Sequence, residues 1–204
     1  MFFIKGFNKF LEFLPIWLVY FIGFLPFIFF LILTILDDIG PDPLLVLEHK
    51  SGIWSLNFLI FALSISFLDN FINLKLVKFR RCIGLLAFYY ASFHFLLYLI
   101  LDKGLNLTFV YNDIIKRPYI FFGFLAFLCF FPLVLTSNNF SKKILGMKLW
   151  LKIHTLIYVI SIFSIIHYIL LVKSWPIQPL ILSFLVLSLI IFKLKKILYL
   201  FLNK

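Results

Sequence analysis

The chain is 204 residues long, 64% hydrophobic and 13% charged, with a mean hydropathy of +1.14. That much apolar surface exceeds what a single soluble core can bury, so the chain reads as an integral membrane protein. The formal net charge of +11 is accordingly read against a lipid bilayer, and no nucleic-acid partner is expected.

The opening segment sets Lys5 and Lys9 ahead of apolar residues, as a signal peptide does, but the apolar run from about 10 to 36 is too long for a signal core. No small-x-small cleavage site follows it, so a retained first helix is expected. A membrane span needs about 20 apolar residues, and six are predicted, at 14–36, 52–68, 82–101, 119–136, 153–172 and 177–194. None of these runs alternates with period two, and a lipid-exposed backbone must pair its own polar groups, so the spans are predicted helices. The expected fold class is an all-α integral membrane protein, a bundle of six transmembrane helices. Cys82 and Cys129 are 47 positions apart with no Cys-x-x-Cys pair, which leaves them as small apolar fillers. No phosphate-binding glycine loop, dinucleotide fingerprint or repeat of 20 to 50 residues is visible.

Basic residues fall unevenly between alternate connections. One side carries 14: Lys5, Lys9, Lys75, Lys78, Arg80, Arg81, Lys142, Lys143, Lys148, Lys152, Lys193, Lys195, Lys196 and Lys204. The other carries 5: Lys50, Lys103, Lys116, Arg117 and Lys173. Acidic residues lean the opposite way, with only Glu12 and Asp69 on the basic side. The positive-inside rule therefore puts both termini in the cytoplasm, which an odd number of spans would not allow.

His94, His154 and His167 lie inside the predicted third and fifth spans. An ionisable group there is costly and marks a functional position by default. Counted from Arg80 and from Lys152, at about 1.5 Å per residue, His94 and His167 reach a similar depth of roughly 20 Å. Two imidazoles at one depth suit the bis-histidine ligation of an electron-transfer heme. His154 lies about 20 Å nearer the inner surface, and 13 helical steps turn it away from the face of His167 unless the helix is distorted. Arg80 shares that inner depth and can meet a heme propionate or a quinone oxygen. The stripe Ala87, Ala91, His94, Tyr98 fits either a flat macrocycle or ordinary packing of small residues. Three interhelical hydrogen bonds of about 1 kcal/mol each are the plain alternative for the histidines. His49, beside Glu48 and Lys50, reads as solvated.

The segment Arg80-Arg81-Cys82-Ile83-Gly84 through His94, then Lys116-Arg117-Pro118-Tyr119-Ile120, Pro132 to Ser137, and Leu145-Gly146 with Trp150, His154, Tyr158, His167-Tyr168 and Lys173-Ser174, resembles the MsrQ (formerly YedZ) family. Gly40, Pro43, His49 and Gly52 belong to the same likeness. The resemblance implies a single ferric reductase-like transmembrane heme-binding domain over 1–204, in a bacterial inner membrane. It further implies b-type heme, an associated flavin (FMN), and quinol or a flavin reductase as electron donor. The implied partner is the periplasmic molybdopterin enzyme MsrP, which reduces methionine sulfoxide in proteins, so the chain would be the electron-transfer subunit of an oxidoreductase. Carried over by residue, His94 and His167 are the axial ligands and His154 is a second-site or exchange ligand. Arg117 and Tyr119 would meet a propionate or the partner, against a plain reading as the start of a helix at Pro118. The chain shows no residues for a soluble flavin and nicotinamide domain, so electrons are expected from another molecule. Two rival functions are a self-contained heme reductase of external metal ions, and a non-redox transporter or assembly factor. Against the latter, no predicted span pairs a carboxylate with these histidines.

Overall fold

The computed structural model describes residues 2–172 and 176–202, with side chains for 4–172 and 176–195. Lys173 and Ser174, Lys204 and the side chain of Lys196, used above for charge or resemblance, lie outside the described residues. Every regular element among the described residues is helical: α1 (Phe2–Phe13), α2 (Ile16–Ile35), α3 (Pro43–Ile72), α4 (Arg80–Leu96), α5 (Leu107–Lys116), α6 (Pro118–Leu135), α7 (Asn139–His154), α8 (Leu156–Leu171) and α9 (Ile177–Leu202). Among the described residues six helical segments are long and apolar enough to cross a membrane: Ile16–Ile35, Pro43–Ile72, Val77–Asp102, Pro118–Leu135, Asn139–Leu171 and Ile177–Lys195. Each of the six predicted spans has its counterpart there.

The ends follow local chemistry. The Asp42 carboxylate accepts from the Leu45 amide at 3.0 Å and Pro43 takes the first helical position, which together start α3 nine residues before the apolar run begins. Asn73 closes that helix in the left-handed region, at φ 57°. Asn138 caps α7 by accepting from the Ser141 amide at 2.7 Å, and Gly146, at φ 69° and ψ 159°, breaks its helical path. Pro15, extended at ψ 145°, separates α1 from α2. The short helices α1 and α5 were invisible to a search for apolar runs because both are amphipathic.

The helices gather into two compact units, Met1–Asp113 and Ile114–Lys204. In the first, α3 and α4 pack along their length, burying Leu56, Leu59, Ala62 and Ile65 against Ile83, Leu86, Ala87 and Tyr90. The Ser55 hydroxyl donates to the Ala87 carbonyl at 2.9 Å, so Ala87 serves helix contact. α2 joins the same pair through Tyr90, whose hydroxyl donates to the Gly23 carbonyl at 2.9 Å and accepts from the Phe27 amide at 3.0 Å. Those two backbone groups pair with each other in an unbroken helix, and the interruption falls beside Pro26, which has no amide hydrogen to give. In the second unit, α6 packs on α8 and α8 on α9, around Phe130, Ile160, Ile165 and Val186.

Candidate functional site

His94 stands near the end of α4, where the helix widens into a single π turn over Leu97–Asp102. Such turns are rare and gather at functional positions. The His94 imidazole reaches across to α3, where its Nδ1 lies 2.8 Å from the Glu48 carbonyl oxygen. A carbonyl only accepts, so Nδ1 carries the proton and, in the neutral ring, Nε2 carries the lone pair. Gly52, one turn after Glu48, lies beneath this ring: a Cβ there would sit 3.4 Å from both His94 Nδ1 and Cε1.

The second unit repeats the arrangement. His167 of α8 reaches α6, with Nδ1 2.6 Å from the Tyr119 carbonyl oxygen. Gly123, again one turn after the acceptor, lies under the ring, and a Cβ there would be 2.7 Å from Nδ1. Acceptor and glycine are displaced by 71 positions between the two units, and the histidines by 73. Each unit thus holds a half-buried imidazole with the same tautomer, fixed by the same backbone device. Metal-ligating histidines are oriented in this way, with the non-ligating N–H given to a carbonyl, which also raises the basicity of the ligating nitrogen. The residues fit a heme ligand in each unit.

His154 is held differently. It ends α7, its ring stacks on Trp150 at a centroid distance of 4.0 Å, and its Nε2 lies 3.2 Å from the Thr136 hydroxyl at the end of α6. That hydroxyl donates its one proton to the Pro132 carbonyl at 2.6 Å, so it accepts from His154 and Nε2 is the protonated nitrogen. The Trp150 indole donates to the Thr136 carbonyl at 2.9 Å, closing the cluster. His154 and His167 also do not share one uninterrupted helix. The chain tightens at Thr155, whose amide is shared between the Leu151 and Lys152 carbonyls and whose carbonyl accepts from Tyr158.

Of the other expected residues, Tyr119 offers its carbonyl to His167. Arg80 is exposed at the start of α4 and donates to the Ser66 hydroxyl at 2.8 Å. Arg117 is the residue before Pro118 at the start of α6, and its guanidinium lies 3.4 Å from the Tyr119 hydroxyl. His49 is exposed. Among the described residues no group of three or more His, Cys, Asp and Glu side chains is arranged to hold a bare metal ion.

Sequence reasoning missed the Tyr119 carbonyl, the Glu48 carbonyl and both glycines as parts of these constellations. A glycine four residues after the acceptor was the available signal. It also missed a charged cluster at the end of the π turn, where Lys103 lies 2.9 Å from both Asp102 and Asp113 and the Tyr98 hydroxyl donates to Asp113 at 3.2 Å. Lys103, just beyond the span, is held above the ordinary lysine range, chiefly by its hydrogen bond to Asp102.

Comparison with known proteins bears on the same histidines. The family model "Ferric reductase like transmembrane component" matches residues 19–165. Heme-binding subunits of protein-methionine-sulfoxide reductase, MsrQ, from Brucella ovis, Brucella canis and Brucella suis are each 40% identical to this chain over 158 residues, covering 78% of it and 71% of theirs. The chain belongs to the MsrQ family. The ferric reductase-like match runs through both compact units and takes in His94 and His154, ending two residues before His167. No solved structure matches the chain. Those MsrQ relatives are named for heme binding.

Proposed function

We propose that this chain is the membrane heme-binding, electron-transfer subunit of a methionine sulfoxide reductase system, with His94 and His167 as its ligands to b-type heme. The observation that carries this reading is the matched pair of imidazoles, each giving Nδ1–H to a helix carbonyl and keeping Nε2 as the donor nitrogen. When bound, the heme would supply a one-electron couple, and His94 and His167 would hold it through Nε2. The helices supply position and basicity, and no residue of the chain does chemistry on the sulfoxide.

Reducing methionine sulfoxide consumes two electrons. In this proposal they come from quinol or a flavin reductase at the inner face of the bacterial cytoplasmic membrane and leave to periplasmic MsrP. Arg80, exposed at the start of α4, is the contact offered to a heme propionate or a quinone oxygen. Arg117 serves a propionate or the docked partner at the outer end of α6. His154 is an exchange or second-site ligand whose Nε2–H donates to Thr136, leaving the lone pair on Nδ1. The charge asymmetry of the connections, which puts both termini inside, supports the direction.

The family match to a ferric reductase-like component favours one second reading, direct reduction of an external metal ion. Purified protein in detergent, reduced with a quinol analogue and followed at the heme α band, separates the two. Reoxidation that needs both MsrP and methionine sulfoxide is the expected result. Reoxidation by a ferric chelate alone, with none through MsrP, would overturn the proposal in favour of the second reading.

A further inference from the structure

Gly52 and Gly123 share a role that follows from where they stand. In an α-helix the carbonyl of residue i points toward residue i+4, so an imidazole that reaches this carbonyl from a neighbouring helix must lie over position i+4. Glu48 and Gly52 bear this relation on α3, and Tyr119 and Gly123 bear it on α6. A side chain at i+4 occupies the space through which the ring passes. The two positions differ in tightness. At Gly123 a Cβ would come within 2.7 Å of His167 Nδ1, closer than real Cβ atoms approach, and within 3.0 Å of Cε1, tighter than most such contacts. At Gly52 the nearest ring atoms are 3.4 Å away, an ordinary contact.

We propose that Gly52 and Gly123 are positioning residues for the two heme-ligand imidazoles: each is the gap through which a histidine reaches the carbonyl that fixes its tautomer and ring plane. This deepens the reading of His94 and His167 as axial ligands and rests on it. The steric difference makes the inference specific. One methyl at Gly123 must push the His167 ring off the Tyr119 carbonyl. One methyl at Gly52 rests against the His94 ring and disturbs it less, and a branched side chain there displaces it.

The test uses the full chain in detergent, with Gly123→Ala, Gly52→Ala, Gly52→Val and, as a control, Gly84→Ala, whose Cβ meets nothing within 4 Å. Heme affinity and the low-spin ferric EPR spectrum are measured on the monodisperse fraction of each variant. Gly123→Ala is expected to lose heme affinity by about tenfold or more, as other disturbances of the shell behind a metal ligand do, and to shift the largest g value of the heme that remains. Gly52→Val is expected to follow it, Gly52→Ala to fall between it and the unsubstituted chain, and Gly84→Ala to match the unsubstituted chain. A merely structural role for the glycines would lower yield and leave the g values of retained heme unchanged, and that result overturns the proposal. If Gly123→Ala gives no folded protein, the contrast between Gly52→Ala and Gly52→Val decides, and equal spectra for those two overturn it. Failure of the underlying reading is separate: it appears as His94→Ala or His167→Ala keeping a full low-spin signal, whatever the glycine variants do.

Discussion

Tyr90→Phe isolates the device that holds α2 against α4. The phenol is 3% exposed, and its hydroxyl takes one hydrogen bond from α2 and gives one back, at 3.0 and 2.9 Å. Phenylalanine fills the same space, so almost no packing is lost. What is lost are the partners of the Phe27 amide and the Gly23 carbonyl, in a segment that lipid cannot hydrate. An orphaned backbone group costs about 1–3 kcal/mol, so with two groups and some local relaxation Tyr90→Phe should cost about 2–4 kcal/mol. Reversible unfolding in mixed detergent and SDS micelles, followed by tryptophan fluorescence, measures it. Tyr89→Phe, at a neighbouring ring 44% exposed, is the control and should stay within about 0.5 kcal/mol. A Tyr90→Phe cost no larger than the control would show that α2 closes its own hydrogen bonds without the hydroxyl, and the bridging argument would fail.

Three further outcomes are expected. His154→Ala should shift heme content or midpoint potential without removing all heme, because Thr136 already engages Nε2 of His154; complete loss in a pyridine hemochrome assay would mean that His154 belongs to the axial pair. Lys103→Met should destabilise the first unit by about 3 kcal/mol, since it removes the cation shared by two carboxylates, one of them largely buried. The Lys103 pKa is raised in the folded chain, so its contribution is complete below the ordinary lysine value of about 10.4 and fades only as pH climbs through the higher folded value. Thermal unfolding from pH 7 to 11 checks this, and a Lys103→Met difference that had vanished by pH 9 would contradict it. Gly23→Ala should destabilise by about 1–3 kcal/mol through overpacking, because its Cβ would collide with the buried Leu86 side chain; unfolding unchanged from the parent chain would refute that contact.

The six spans were legible because crossing lipid demands long apolar runs, and such runs leave an unmistakable trace in hydropathy. Their ends were less so. Glu48, His49 and Lys50 lower the hydropathy of the first turns of α3 without weakening the helix, which Asp42 and Pro43 start by capping. The division at Thr155 was hidden because a helix that tightens for one turn keeps its apolar composition. The histidines were legible as rare polar groups in apolar runs, but their second partners were not. Glu48 and Tyr119 contribute main-chain carbonyls, and a main-chain acceptor has no residue signature of its own. Only the absent side chains of Gly52 and Gly123 record where those carbonyls are approached. His154 resembles the other two in sequence and differs from them in tautomer, a distinction set by one hydroxyl contributed from another helix.

The central claim is that His94 and His167 ligate heme through Nε2, and low-temperature EPR of the purified ferric protein beside His94→Ala, His167→Ala and His49→Ala tests it most directly, with heme quantified as pyridine hemochrome. The account predicts a low-spin bis-imidazole signal in the parent chain and in His49→Ala, and its loss in each of the other two. A parent chain without that signal, or a full low-spin signal in either His94→Ala or His167→Ala, would contradict it.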